Sequence, residues 1–468
     1  MFPSLPALAL ALTTLALAGC ATPSPDGGHD TVARLTRERT GFAPTDQRTP
    51  AQADAAQARV AELLARPLGA NEAVELALLN HRGLQASLAE LGIAEADRVR
   101  AGRLANPSFK VGAMRGGGGT EVERALGIDL LGLLTLPLAS QVAQQQFEAV
   151  QWQAAETAVA LAGEVRRAWV EAVAAQQLVG YFGQVREAAD ASGELARRMA
   201  AAGNFSALAQ LREQAFQADA VAQLARARHQ ALAARERLTR LLGLGGEARR
   251  LLLPERLPDL PASPLALNDA EQTAMDRRLD VQAALRRAEA TARSLGLTRA
   301  TRVVNVLHLG LQDQRAPGEA RHEGIEVELE LPLFDFGSSR VARAEATYRQ
   351  ALHQTAQVAQ DARSEVREAH SAYLTAYELA RHQRDEVLPL RRRISEETLL
   401  RYNGMLVSVF DLLADAREQI TGVVAAVEAL RDHWVAESAL QTALSGRSAA
   451  LPALSPARAA APAGAAGH

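Results

Sequence analysis

No residue set in this 468-residue chain has the types and spacing of a catalytic centre. Ten histidines are scattered, with no HExxH pair and no other metal spacing. His353 and His370 stand singly on polar helical surface. Five methionines do not cluster, so a thioether copper site has no basis. The single cysteine, Cys20, excludes an internal disulfide and a Cys-based zinc site. Gly116–Gly119 opens no helix with a lysine and reads as a loop tip, not a phosphate cradle. Neither a metal, a cofactor nor an enzymatic reaction is expected. What remains is electrostatic. Glu326, Glu328 and Glu330 alternate with Val327, Leu329 and Leu331, and Asp129 and Lys110 occupy corresponding positions in an earlier pair of runs. Asp411 and Asp415, four residues apart, share one helix face.

Elements of two kinds must position these charges. Hydrophobic residues make up 48% of the chain but aromatics only 4%, and Ala and Leu supply most of the apolar content. Such a composition favours helix over strand. A net charge of -3 gives no basic excess for nucleic acid. Lys110 is the only lysine, so arginine carries nearly all the positive charge.

The strand-like runs alternate with period two. Val122, Leu126 and Ile128 oppose Glu123, Gly127 and Asp129, with Arg124 the exception. Phe109 and Val111 flank Lys110, and Leu307, Leu309 and Leu311 alternate with His308 and Gly310. Aliphatic on one parity and polar on the other, over about ten residues, is the signature of a membrane β-barrel. Gly116–Gly119 and Ala316-Pro317-Gly318 suit hairpin turns. Two half-buried hairpins on a soluble protein would read the same way, so that alternative stays open. No segment reaches the roughly 18 continuous apolar residues of a membrane helix.

Comparison of the two halves shows a duplication. At an offset of 201, Glu164-Val165-Arg166 falls on Glu365-Val366-Arg367 and Gly203 falls on Gly404; upstream, at 197, Asn71 meets Asn268 and Leu88 meets Leu285. On this register Gln210 and Gln214 are the first-copy partners of Asp411 and Asp415. The first repeat covers 61–244: a helix over 71–104, a hairpin at about 106–131, a long helix over 139–201 and a further helix over 206–242. The second covers 266–445, with a helix over 268–300, a hairpin at about 302–333, a long helix over 338–401 kinked at Pro389, and a helix over 408–444. Each long helix would extend about 95 Å, so these helices must pack side by side in a bundle or barrel. A proline-broken stretch at 245–265 links the copies. Residues 20–60 are expected to form a tether, without structure over 22–49, and 446–468 an Ala/Pro/Gly tail.

Ala7–Ala18 suits the apolar core of a signal peptide over 1–19, although no basic residue precedes it. Leu17-Ala18-Gly19-Cys20 resembles a bacterial lipobox, which implies cleavage before Cys20 and lipid on that residue; Ala21 is compatible with sorting to the outer membrane.

The lipobox, the duplicated unit and three local stretches together resemble the TolC family of outer-membrane efflux channels, in its lipid-anchored branch, over about residues 60–445. The stretches are Leu331-Pro332-Leu333-Phe334-Asp335-Phe336-Gly337, Arg401-Tyr402-Asn403-Gly404 with Val409-Phe410-Asp411-Leu412-Leu413, and Ala73–Ala77 with Asn80. The resemblance implies a mostly α fold with a small β part. Three copies would give four strands each to a twelve-stranded barrel that continues into a periplasmic α-helical barrel. It implies a passive exit duct in the bacterial outer membrane for small molecules or metal ions. The partners would be a periplasmic adaptor, an inner-membrane pump of the RND or another class, and membrane lipid. The same duct serving type I protein secretion, and a pore-less structural lipoprotein, remain alternatives. On this frame Asp129, Glu326, Glu328 and Glu330, opposed by Lys110, line the lumen and favour cations. Asp411 and Asp415 are gate candidates. The turns Gly203-Asn204-Phe205 and Asn403-Gly404-Met405-Leu406 would meet the adaptor.

Overall fold

The computed structural model describes residues 22–116, 119–246, 251–267, 269–304, 306–330 and 332–447. The signal peptide, Cys20 and nearly all of the expected tail lie outside them. Along the chain come α1 (His29–Thr40), α2 (Pro50–Leu63), α3 (Ala70–Asn80), α4 (Arg82–Ala101), β1 (Ser108–Gly116), β2 (Gly119–Asp129), α5 (Leu130–Ala201) and α6 (Ala207–Leu241). There follow α7 (Ala270–Arg277), α8 (Leu279–Ala300), β3 (Leu307–Arg315), β4 (His322–Leu329), α9 (Ser338–His382), a π-turn over Gln383–Val387, α10 (Leu388–Asn403) and α11 (Val409–Ser445).

Contacts divide the chain into two units. One takes Met1–Leu35, Ala86–Ala155 and Leu279–Asp361; the other takes Thr36–Gln85, Glu156–Arg278 and Ala362–His468. In the first, all four strands join one antiparallel sheet in the order β1-β2-β3-β4. The two hairpins are therefore paired with each other, Leu126 opposite Leu311 and Ile128 opposite Leu309. The second hairpin sits closer to its turn than alternation suggests. β3 starts at Leu307, not near Val303, and the ladder runs on through polar Gln312–Arg315, because backbone pairing does not require apolar side chains. β4 ends at Leu329, short of Pro332, which has no N–H to give.

Helix boundaries also depart from the patterning. The stretch expected as a tether carries α1 and α2. Val32, Leu35 and Thr36 of α1 are buried, and α2 opens on a reciprocal cap in which Thr49 and Gln52 satisfy each other's backbone N–H groups, with Pro50 in the first turn. α5 begins at Leu130, not Ala139, and runs through Pro137 for 72 residues. The helices expected over 71–104 and 268–300 each break once, at His81 and at Arg278, which have extended backbone. These two breaks are repeat-equivalent at the offset of 197.

In the second unit the core is built from small residues. Ala274, Val366, Ala369, Ala376, Ala436, Leu440 and Ala443 are buried around Tyr373, so alanine content converts into close helix packing. The inter-repeat linker is part of this core: Leu251, Leu257 and Leu260 are buried. Tyr377 Oη donates to the carbonyls of Pro261 (3.2 Å) and Ala262 (2.9 Å), Tyr373 Oη accepts from Leu265 N–H (2.8 Å), and Trp434 Nε1 donates to Pro258 O (3.1 Å).

His433 lies inside this aromatic clasp, fully buried, with ring centroids 5.5 Å from Tyr373, 5.6 Å from Tyr377 and 5.1 Å from Trp434. Burial pushes its pKa down from 6.5 to about 4. Below pH 6.5 the unfolded chain takes a proton that the folded chain refuses, so stability falls with pH. The loss should reach about 3 kcal/mol by pH 4. Acid unfolding of His433→Phe should begin at lower pH than that of the parent; identical acid transitions would remove His433 as the cause.

The π-turn brings the largest departure from the expected register. Leu388 N–H bonds Gln383 O, five residues back, just before Pro389. A π-turn absorbs one extra residue, so a one-residue insertion precedes Pro389, where a kink is expected. Past it the repeat offset is 202. The two following turns confirm this by their hydrogen bonds. Asn204 N–H bonds Met199 O and Gly203 N–H bonds Ala200 O; Leu406 N–H bonds Arg401 O and Met405 N–H bonds Tyr402 O. Gly203 (φ 76) therefore matches Met405 (φ 57), not Gly404. Ser206 and Ser408 both cap the next helix. The first-copy partners of Asp411 and Asp415 become Ala209 and Glu213, not Gln210 and Gln214.

Candidate functional site

The strand register sorts side chains onto two faces. On one lie Phe109, Val111, Leu126, Ile128, Leu307, Leu309, Leu311, Ile325, Val327 and Leu329, in contiguous rows such as Ile128–Leu309–Val327. Phe109, Val111, Leu126, Ile128, Leu311, Ile325, Val327 and Leu329 are between 42% and 75% exposed. Apolar exposure continues past the strands to Leu133, Leu134 and Leu138 of α5 and to Leu333, Phe334 and Phe336. A surface of this extent in one chain calls for a non-aqueous or protein covering. Among the described residues β1 and β4 each pair on one side only, which leaves two open edges.

The other face is polar. Asp129, His308 and Glu328 form one row across β2, β3 and β4; Gly127, Gly310 and Glu326 form the next. The two facing glycines leave a cavity of about 40 Å³ walled by Lys110, His308, Glu326 and Glu328. Gln312 Nε2 donates to Glu326 Oε2 at 2.5 Å. Four of the five expected lumen charges thus share this face, and Glu330 lies one residue beyond β4. Asp129 also caps α5, its carboxylate accepting Gly132 N–H at 2.9 Å. Asp335, at the equivalent junction of the second repeat, accepts from Ser338 N (2.8 Å), Ser338 Oγ (2.9 Å) and the Ser339 hydroxyl. The Ser339 and Ser338 hydroxyls hold its pKa down to about 2.

At the turns that lead into α6 and α11, Phe205 stacks on Phe410 with centroids 5.5 Å apart. Met405 and Leu406 are 93% and 77% exposed. Asp411 is engaged locally: its carboxylate accepts Ser408 Oγ (2.7 Å) and Ser408 N–H (2.9 Å), which lowers its pKa. Asp415, one turn further along α11, has a buried Oδ2 with no hydrogen-bond partner. Its first-copy match, Glu213 of α6, is buried and accepts from Ser192 Oγ (2.8 Å) and Arg417 Nη2 (2.8 Å). Arg417 also lies 4.6 Å from the Phe216 ring centroid, so this second-repeat side chain meets two residues of the first repeat. No group of three or more His, Cys, Asp or Glu among the described residues can hold a metal ion.

Solved structures share this architecture. A membrane protein from Pseudomonas aeruginosa superposes with a TM-score of 0.70 at 22% identity, covering 80% of this chain and 92% of that one. The outer-membrane channel OprN gives 0.68 at 23% identity, covering 84% and 92%. CusC, described in conformations that accompany folding and transmembrane channel formation, gives 0.66 at 18% identity, covering 81% and 92%. The fold is that of the TolC-type outer-membrane channels. Neither a family model nor a curated protein sequence matches the chain.

Within this channel-type fold, Asp335, Glu213 and Arg417 are the residues that sequence reading missed. Asp335 had a signal, an acid followed three residues later by the first helical serine. Glu213 was hidden by the one-residue register error downstream of the π-turn.

Proposed function

We propose that the chain is one third of a passive exit duct in the bacterial outer membrane. The observation that carries this reading is the four-stranded sheet, with two open edges, an exposed aliphatic face and an acidic face. Three copies joined edge to edge make twelve strands, an even number within the range of known barrels, and remove every edge. The aliphatic face then meets lipid and the acidic face lines the lumen, where Glu326 and Glu328, opposed by Lys110, favour cations. The fold neighbours CusC and OprN support export through a transmembrane channel. Lipid on Cys20 would anchor each copy in the membrane. An adaptor meeting Gly203–Phe205 and Asn403–Leu406, with an inner-membrane pump, would complete an efflux system for small molecules or metal ions; type I secretion uses the same geometry with a polypeptide cargo. The work done by this chain is conduction, not catalysis.

The gate reading moves with the register. Asp415 and Glu213 form the acid layer, Arg417 holds Glu213, and Asp411 caps its helix. Passage of ions through a planar bilayer tests both the duct and the layer. Asp415→Asn should raise the conductance of the purified assembly and weaken its block by polyvalent cations. Unchanged block would take Asp415 out of the gate.

A further inference from the structure

Beyond the aliphatic rows, on the same face of the sheet and toward the hairpin tips, the chain changes character. Arg124 lies between Val111 and Asp313, Asp313 lies opposite Glu323, and Arg315 lies opposite Val122. Arg115 is opposite Thr120 on this parity, and Arg321 precedes β4 on the parity of Glu323. Arg321 pairs with Asp313 Oδ1 at 2.5 Å and with Glu323 Oε1 at 3.0 Å, and Arg315 reaches Asp313 Oδ2 at 3.7 Å. Four guanidinium groups thus stand against two carboxylates on this part of the face, a surplus of two positive charges per chain. Arg315 and Arg321 keep 54% and 51% of their side chains exposed. The polar face at the same height holds the acids Glu121 and Glu123. The arginine surplus is therefore confined to the face that carries the aliphatic rows.

We propose that this arginine collar docks the phosphate groups of outer-leaflet glycolipid. The proposal rests on the reading of the aliphatic face as the one that meets lipid. Leu311 and Asp313 are two residues apart, about 7 Å along the strand. A lipid whose chains lie on Leu126, Leu311 and Ile325 thus brings its headgroup to the height of Arg124 and Arg315. Arginine suits that contact, because its planar fork binds phosphate bidentately and is less strongly hydrated than an ammonium group. Asp313 and Glu323 hold Arg321 in place and leave Arg115, Arg124 and Arg315 to carry the surplus charge.

The test uses the full-length protein in uncharged detergent. Its affinity is measured for lipid A carrying both phosphates, for the dephosphorylated lipid, and for inorganic phosphate. The parent should bind the diphosphorylated lipid about tenfold more tightly than the dephosphorylated one, or ~1.4 kcal/mol. Inorganic phosphate at matched concentration should not displace it. The triple variant Arg115→Gln, Arg124→Gln, Arg315→Gln should lose that difference, and the corresponding triple Lys variant should recover part of it. Equal affinity for both lipids, an unchanged preference in the Gln variant, or full displacement by inorganic phosphate would each overturn the collar. Any of these results in protein that still conducts ions in a bilayer leaves the duct reading standing. Protein that conducts no ions overturns the duct, and with it the lipid-facing assignment on which the collar rests.

Discussion

Replacing Leu309 by Arg is expected to leave the protein unable to maintain a membrane-embedded assembly. Leu309 sits in the middle of the aliphatic rows, between Ile128 and Val327. A cation at the centre of a lipid-facing barrel surface costs about 2–4 kcal/mol, and in the proposed three-copy duct that cost would be repeated in each copy. The neighbouring substitution Gln312→Arg places the same charge on the polar face, beside Glu326, and should be tolerated. Heat-modifiable mobility on gels, together with recovery in the membrane fraction, separates the two. Equal assembly of both variants would mean that the aliphatic face does not meet lipid.

Arg278→Ala should be the most damaging single change in the helical unit. Arg278 is 1% exposed; its guanidinium donates to Ala443 O at 3.2 Å and pairs with Glu365 Oε2 at 2.8 Å. Removing it strands a carboxylate and a carbonyl inside the core. Breaking a buried pair on one side costs about 3–5 kcal/mol, and the 29% exposure of the Glu365 side chain places this case near the lower bound. Arg278→Met with Glu365→Gln, which removes both charges and keeps the volume, should recover most of the loss. Thermal unfolding followed by circular dichroism reads both variants. Equal destabilisation by the single and double changes would show that packing, not charge, is what Arg278 supplies.

Arg278 also shows how far the fold was legible in the amino-acid sequence. The duplication places it opposite His81, and Glu365 opposite Glu164, so the same break in the helix pair recurs with a nitrogen-bearing side chain near an acid. In the first repeat, burial lowers the His81 pKa while Glu164 opposes that shift. Periodicity alone did not reveal the breaks, because neither histidine nor arginine is a helix breaker. The sheet faces were legible because period-two alternation is a local property. The pairing of β2 with β3 was not, since it joins residues nearly two hundred positions apart.

The tether shows another limit. Residues 22–49 are rich in Pro, Thr, Gly and Asp, yet Val32 and Leu35 bury a stripe of α1, and Glu95 of α4 accepts the Ser24 N–H at 2.6 Å. Composition averaged over the segment hid a short amphipathic stretch. The π-turn is the converse case. Pro389 marked the position, but a missing N–H does not reveal that the helix takes in an extra residue before it. That insertion set the register of everything downstream, including the match of Asp415 to Glu213 of the first repeat.

Conduction is the property that a duct must have, and planar-bilayer recording measures it directly. The purified assembly should give stepwise, cation-selective current, and Glu326→Gln with Glu328→Gln should lower the preference for cations without abolishing the current. A folded, assembled protein that passes no current would contradict the duct outright.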